Sequence, residues 1–223
     1  MNLIETIRDG LSTVPLLRRL GQLGDAPAPE ALVDIAMSYK VIRPLQVRSE
    51  VLELAGLVAG VRPRTMLEIG TFRGGTLFIF SRLAAADAVI VSLDLPVSWR
   101  GKLIRMAQGP LFHRFTRAQQ SLHLLREDSH RPASFAHVAA IRKDRPLDFL
   151  FIDGDHAYEG VKADFELHSK AVRPGGMVAF HDIAMKPPCG VPQLWEELKP
   201  RYKHAEIVHE RGPKSMGIGV LWV

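Results

Sequence analysis

Asp153 closes the apolar run Leu147-Asp-Phe-Leu-Phe-Ile-Asp153 and is followed at once by Gly154-Asp155-His156. A second run, Met177-Val-Ala-Phe180, ends in His181-Asp182. Both read as strands. The helix expected between them carries Val161, Phe165, His168 and Val172 on one face and stops at Arg173-Pro174-Gly175-Gly176. Strands joined by a crossover helix are neighbours in a parallel sheet, so the two carboxylates converge on one crevice. With water and acceptor oxygens, Asp153 and Asp182 could hold a hard cation such as Mg2+. That cation would acidify a bound hydroxyl, and His156, titrating near neutrality, could take its proton. Plainer alternatives stay open here: an Asx-type turn of Asp153 and Asp155 about Gly154, His156 as a helix cap, and His181 as a satisfied strand-end residue.

A third constellation lies upstream. Thr65 to Ile69 is a short apolar run interrupted by Glu68, followed by Gly70-Thr71-Phe72-Arg73-Gly74-Gly75 and an apolar stretch from Leu77 to Ala86. The pattern predicts a buried strand, a tight turn and a helix. Phe72 occupies the slot where a dinucleotide fingerprint needs a glycine to admit a pyrophosphate. Glu68 beside the turn would repel a phosphate and suit a cationic ligand. S-adenosylmethionine, with an ammonium, a sulfonium and no phosphate, fits. Asp94 ends the run from Ala88, roughly twenty residues past the turn, where an acid can accept from ribose hydroxyls. The alternative is an acidic strand end facing water.

Glu68-Ile-Gly70-Thr-Phe-Arg-Gly74-Gly75 resembles the first motif of class I S-adenosylmethionine-dependent methyltransferases. The stretch Phe149 to Val161, with Arg173-Pro-Gly-Gly and Ala179-Phe-His-Asp-Ile183, is more specific. It is similar to the group that includes cephalosporin-hydroxylase-like proteins and the macrolide-sugar O-methyltransferases. The resemblance runs from Gln46 to the C-terminus. It implies a Rossmann-like α/β fold, with a mostly parallel seven-stranded sheet, one antiparallel strand and helices on both faces. It implies O-methylation of a small-molecule hydroxyl of the sugar or natural-product type. Glu68, Gly70, Thr71, Gly74, Gly75, Asp94 and Asp153 would bind S-adenosylmethionine, with Asp128 and Ser129 beside the adenine. Ser129 and Asp128 also suit a helix N-cap. Asp153 and Asp182 would bind a divalent cation, and His156 would be the base. His181 stands where those enzymes have another carboxylate, a departure that weakens the metal assignment. No iron triad with His-x-Asp spacing is evident, which favours methyl transfer over hydroxylation.

The elements that must position these residues begin with a helical extension over 1–43, followed by the S-adenosylmethionine-binding domain over 44–223. Leu3 or Ile4, Ile7, Leu11 and Val14 predict an amphipathic helix that breaks at Pro15. Pro29 opens a second helix. Pro44 opens a third, with Val47, Val51, Leu54, Val58 and Val61 on one face and Gly60 near its end. Residues 96–121 are basic, with Trp99, Arg100, Lys102, Arg105, His113, Arg114 and Arg117. They read either as a lid over an anionic or sugar-like acceptor or as a solvated surface. Leu122 to Arg126 predicts a strand. Val191 to Leu198 predicts a helix, and Ala205 to Glu210 with Gly217 to Val223 an antiparallel hairpin.

With 223 residues, 47% hydrophobic and 24% charged, the chain is globular. A net charge of +5 without a Lys/Arg block argues against nucleic acid as partner, though a nucleic-acid methyltransferase remains an alternative. A non-catalytic S-adenosylmethionine-binding module is another, kept alive by His181. A nicotinamide oxidoreductase is disfavoured by Phe72 and Glu68. The lone Cys189 rules out an intrachain disulfide and a cysteine-based zinc site. No apolar leader or bilayer-length run is expected, and the lone cysteine is consistent with a reducing, cytoplasmic location, which is the expectation. The expected partner is a small-molecule acceptor, with a homo-oligomer left open.

Overall fold

The computed structural model describes residues 13–95, 108–209, 212 and 215–223. Seven strands form one sheet: β1 (Thr65–Ile69), β2 (Val89–Asp94), β3 (Ser121–Arg126), β4 (Leu147–Ile152), β5 (Val172–His181), β6 (Lys203–Ile207) and β7 (Ile218–Trp222). Their order is β3-β2-β1-β4-β5-β7-β6. The first five run parallel, and β7 lies antiparallel to both β5 and β6. This is the expected Rossmann-like sheet with one reversed strand. The direction of strand progression reverses between β1 and β4, and such a switch point opens a crevice at the carboxyl ends of the strands. Registers Ile69 with Leu93, Ile69 with Ile152, and Ile152 with Phe180 bring those ends level.

Both faces of the central strands are apolar because helices cover both. On one face, Met66, Phe149 and Phe151 pack under α2 (Pro29–Ser38), α3 (Arg48–Val61) and α4 (Gly75–Leu83). Phe80 sets its ring edge-on against both phenylalanines at 5.1 and 5.3 Å. On the other face, Leu67, Leu150 and Phe180 pack under α6 (Pro132–Ile141), α7 (Tyr158–His168) and α8 (Val191–Leu198), α5 being the helical segment over 108–112. Leu16 and Leu20, from a helix over 13–21 (α1), and Leu32 and Ile35 of α2 are buried in the same core as α4. The described part of the N-terminal extension is therefore continuous with the domain core.

Four helix boundaries differ from expectation. Leu3, Ile4, Ile7 and Leu11 lie outside the described residues, and the described helix over 13–21 contains Pro15. The helix expected to carry Val172 ends at His168, and Val172 begins β5. Pro44 does not open a helix, and α3 begins at Arg48. The segment before it crosses the start of α4 so closely that a Cβ on Gly75 would lie 2.2 Å from the Ile42 carbonyl and 2.6 Å from Pro44 Cδ. Pro44 serves that extended crossing, as a fixed φ allows. At the far end of α3 the left-handed cap is Arg62 (φ 48°), whose N–H donates to Val58 O at 2.9 Å. Gly60 stays helical.

Among the described residues, no helix is long and apolar enough to cross a membrane.

Candidate active site

A cavity of about 790 Å³ opens at the carboxyl ends of β1, β2, β4 and β5, within the range of small-molecule sites. Its floor is the glycine turn. Gly70 has φ 84° and donates to Leu93 O at 2.9 Å, while Asp153 N donates to Ile69 O at 2.8 Å. These bonds lock the ends of β1, β2 and β4 together. A Cβ on Gly70 would stand 2.0 Å from the Asp153 carbonyl oxygen, so only glycine fits. Thr71 N donates to Asp94 Oδ2 at 3.3 Å, which turns the Asp94 carboxylate along the cavity wall. Gly74 caps α4, and Gly75 lies on the wall beside Thr76. Phe72 does not fill the cavity. Its ring is 52% exposed at the mouth, with the Arg73 guanidinium 5.0 Å above it.

Glu68 lies elsewhere than the sequence suggested. Its side chain is fully buried and off the cavity wall, and it accepts from Thr76 Oγ1 at 2.6 Å. Burial, reinforced by Asp153 and Asp94, pushes its pKa well up against the Thr76 bond. Buried beneath α4 and off the cavity wall, this carboxyl does not meet a ligand held in the cavity. Its role is to tie the helix start to β1.

The loop after β3 brings Asp128 and Ser129 to the cavity. Neither caps α6, whose N-cap is Arg131. Asp128 instead accepts from His130 N at 3.1 Å and Arg131 Nε at 3.3 Å, and those bonds, the backbone one foremost, hold its pKa down.

The opposite end of the cavity holds the acids and histidines. Asp153 Oδ2 accepts from Gln46 Nε2 at 2.6 Å. His181 is 4% exposed, with Nδ1 3.1 Å from Asp153 Oδ1 and 3.2 Å from Asp182 Oδ1. His156 is half exposed, with Nε2 3.0 Å from Asp182 Oδ2 and 3.8 Å from Asp153 Oδ1. Asp153 and Asp182 push His156 up to about 10 against burial. For His181 burial pulls the other way, but the same two acids outweigh it and bring it to about 10. Burial raises both acids, yet the two imidazoliums hold Asp153 and Asp182 below the ordinary range. His156 therefore does not titrate near neutrality as the sequence suggested: in this arrangement it is a proton-bearing ion-pair partner. Asp155, also on the cavity wall, accepts from Ala157 N at 2.8 Å, an Asx turn that runs forward into α7 and not about Gly154.

The cluster fits a cation by its donor set. Asp153, His181 and Asp182 each offer a ligand atom, all within 4.8 Å of one another. Asp182 Oδ1 and His181 Nε2 are buried without a hydrogen bond of good geometry. The cavity fits an adenosyl ligand by its volume, the glycine floor and the carboxylates at its edge.

Of the basic segment, Trp99, Arg100, Lys102 and Arg105 lie outside the described residues. Arg117 faces away from the site, donating to Ala84 O and, at 2.7 Å, to Asp25 O. Sequence reasoning missed Gln46, His130, Met185 and Met216, all on the cavity wall. Gln46 was hidden in the misread start of α3.

Residues 67–183, more than half of the chain, match the family model described as a methyltransferase domain, and the chain belongs to that family. An uncharacterised protein of Sinorhizobium fredii is 32% identical over 148 residues, covering 64% of this chain and 16% of that protein. An uncharacterised protein of Acanthamoeba polyphaga mimivirus is 30% identical over 118 residues, covering 53% and 51%. The chain thus spans about half of one curated relative it matches and less than a fifth of the other. Among solved structures, the O-methyltransferase TomG of Streptomyces achromogenes, involved in tomaymycin synthesis and bound to SAM, has a TM-score of 0.59 at 19% identity, covering 88% of this chain and 90% of that one. MycE, from the mycinamycin biosynthetic pathway and in complex with Mg, SAH and mycinamycin VI, scores 0.57 at 16% identity, covering 88% and 54%. At these identities the structural likeness speaks for the fold.

Proposed function

We propose that the chain is an S-adenosylmethionine-dependent O-methyltransferase acting on a small-molecule hydroxyl of the sugar or natural-product type. The observation that carries this reading is one cavity lined at one end by the glycine turn, Asp94, Asp128 and Ser129, and at the other by Asp153, His156, His181 and Asp182. The membership of the methyltransferase-domain family supports it, as do the SAM-bound and Mg,SAH-bound relatives in fold.

In this reading Asp94 accepts from the ribose hydroxyls, Asp128 and Ser129 meet the adenine, and Gly70, Thr71 and Gly75 line the cofactor's path, while Gly74, off the cavity wall and packed on Phe112, starts α4. Asp153 borders both cofactor and acceptor. Glu68 supports the turn from below. Bound S-adenosylmethionine supplies an electrophilic methyl on a positive sulfur, whose charge is lost in the transition state, so a water-poor wall helps. A divalent cation on Asp153 and Asp182, with His181 as third donor, would offset the acids' charge and acidify an acceptor hydroxyl. Gln46 fixes the Asp153 carboxylate by one oxygen and leaves the other turned to the cluster. Relieved of its ion pairs with the acids, His156 would give up its extra proton to solvent, and its neutral Nε2 would then take the acceptor's proton.

Calorimetry with S-adenosylhomocysteine tests the reading: saturable heat with one site per chain is expected. No heat and no thermal shift at millimolar ligand would refute it. A non-catalytic adenosyl-binding module is the second reading, favoured by the two imidazoliums that neutralise the acid pair. Label transfer from methyl-labelled cofactor to hydroxylated acceptors separates the two. We also place the protein in the cytoplasm, where its lone thiol stays reduced, as a partner of small molecules and not of nucleic acid.

A further inference from the structure

The buried face of α7 reads Val161, Asp164, Phe165, His168. Two titratable side chains thus stand one turn apart on an otherwise apolar stripe. Both reach the loop that follows β3. His168 Nε2 lies 2.9 Å from Ser129 O and donates to it. Asp164 Oδ1 lies 3.5 Å from His130 Nε2, and the same ring's Nδ1 lies 3.6 Å from Asp128 Oδ1. The His130 ring therefore bridges a carboxylate under the loop and one on the cavity wall.

Asp164 is fully buried, and neither of its oxygens has a hydrogen bond of good geometry. The Ser129 hydroxyl and the His130 ring face it outside that geometry. A carboxylate placed this way costs stability. Burial pushes its pKa up to about 6. Packing alone would be served better by a neutral side chain, so the charge calls for an explanation in what it holds.

We propose that Asp164 is a positioning residue for nucleoside recognition: through His130 and Ser129 it sets the 128–130 loop so that Asp128 and Ser129 meet the base of an adenosyl ligand. The inference rests on the cofactor reading above. The charged and titratable groups around Asp164 are His130 and Asp128 from the loop, Asp155 from the turn after β4, and His168 on its own helix, with Arg142 of α6 beyond His168. As pH falls through the value at which Asp164 takes up a proton, its hold on His130 weakens and the loop loosens. Adenosyl affinity then drops.

The test is calorimetry with S-adenosylhomocysteine on the full chain, at about pH 7.5 and about pH 5.5, on either side of the Asp164 transition. Wild type should bind several-fold more weakly at the lower pH. Asp164→Asn should bind about tenfold more weakly at the higher pH and lose the pH step, while its melting temperature holds or rises. His130→Gln, altering a partly exposed ring, should reproduce both effects. Wild-type affinity and an unchanged pH step in either variant would overturn the proposal. A collapsed melting temperature in Asp164→Asn would also overturn it, by assigning the carboxylate to packing. Failure of the cofactor reading shows up separately, as wild type binding nothing at either pH.

Discussion

Gly70→Ala is the sharpest perturbation of the frame that makes the cavity. The new methyl would meet the Asp153 carbonyl oxygen at 2.0 Å, its carbon at 2.6 Å and Gly154 Cα at 3.0 Å, all backbone. Real Cβ contacts stop near 3.0 Å, so the ends of β1 and β4 must part by about 1 Å. The bonds from Gly70 N to Leu93 O and from Asp153 N to Ile69 O resist that parting. An L side chain in the left-handed region costs about 1–2 kcal/mol, and overpacking adds about 1–3 kcal/mol. The sum is about 2–5 kcal/mol, or a melting point lower by roughly 5–15 °C for a chain of this size. Asp153 moves with the turn, so S-adenosylhomocysteine affinity falls too. Gly56→Ala is the control. Gly56 lies inside α3 with open space where its Cβ would go. The same added methyl should stabilise there by about 0.5–1 kcal/mol. Scanning calorimetry reads both signs. A Gly70→Ala protein that melts with wild type and keeps its ligand affinity would refute the reasoning from close approach.

Three further predictions concern the acid–histidine cluster. In chelator-treated protein, His156 and His181 have folded pKa values raised to about 10. Their contribution is then full below about pH 6.5 and is lost as pH rises toward 10, so the melting temperature should decline along that arm. His181→Gln should flatten this alkaline decline, and an unchanged slope would show that the ion pairs do not carry it. Mn2+ titrated into the protein and followed by electron paramagnetic resonance should be captured by wild type and released about tenfold more readily from Asp182→Asn; equal capture by both would remove Asp182 from the donor set. His156→Ala should leave S-adenosylhomocysteine affinity near wild type while slowing methyl transfer at least a hundredfold, and wild-type turnover would exclude it as the base.

The strand pattern was legible because β1, β2, β4 and β5 are buried on both faces, and such strands appear as unbroken apolar runs. The reversed final strand was legible because the connection from β6 to β7 is too short for a crossover. Convergence of Asp153 and Asp182 followed from the same logic, since neighbouring parallel strands end level. What failed was parity and long-range charge. Glu68 precedes the turn by one residue too many, and its side chain falls on the α4 face, a distinction that a strand end in sequence does not display. His156 looked like a neutral base because nothing local announces that both acids lie within reach of its ring. Asp164 and His168 carried a signal that could have been used: two polar residues on the apolar stripe of α7 must have partners, though the sequence does not say which loop supplies them. Arg62 replaced Gly60 as helix cap because the chain needed a left-handed residue two positions later, and arginine tolerates φ 48° there.

The eleven residues of α7 start just past His156 and end at His168, whose ring supports Ser129 from below. A rod about 16 Å long therefore couples the acid–histidine end of the cleft mechanically to the end lined by Asp128 and Ser129. Tilting it at the one end would move the 128–130 loop at the other. Leu45 and Met185, on the same wall, belong to segments outside this rod.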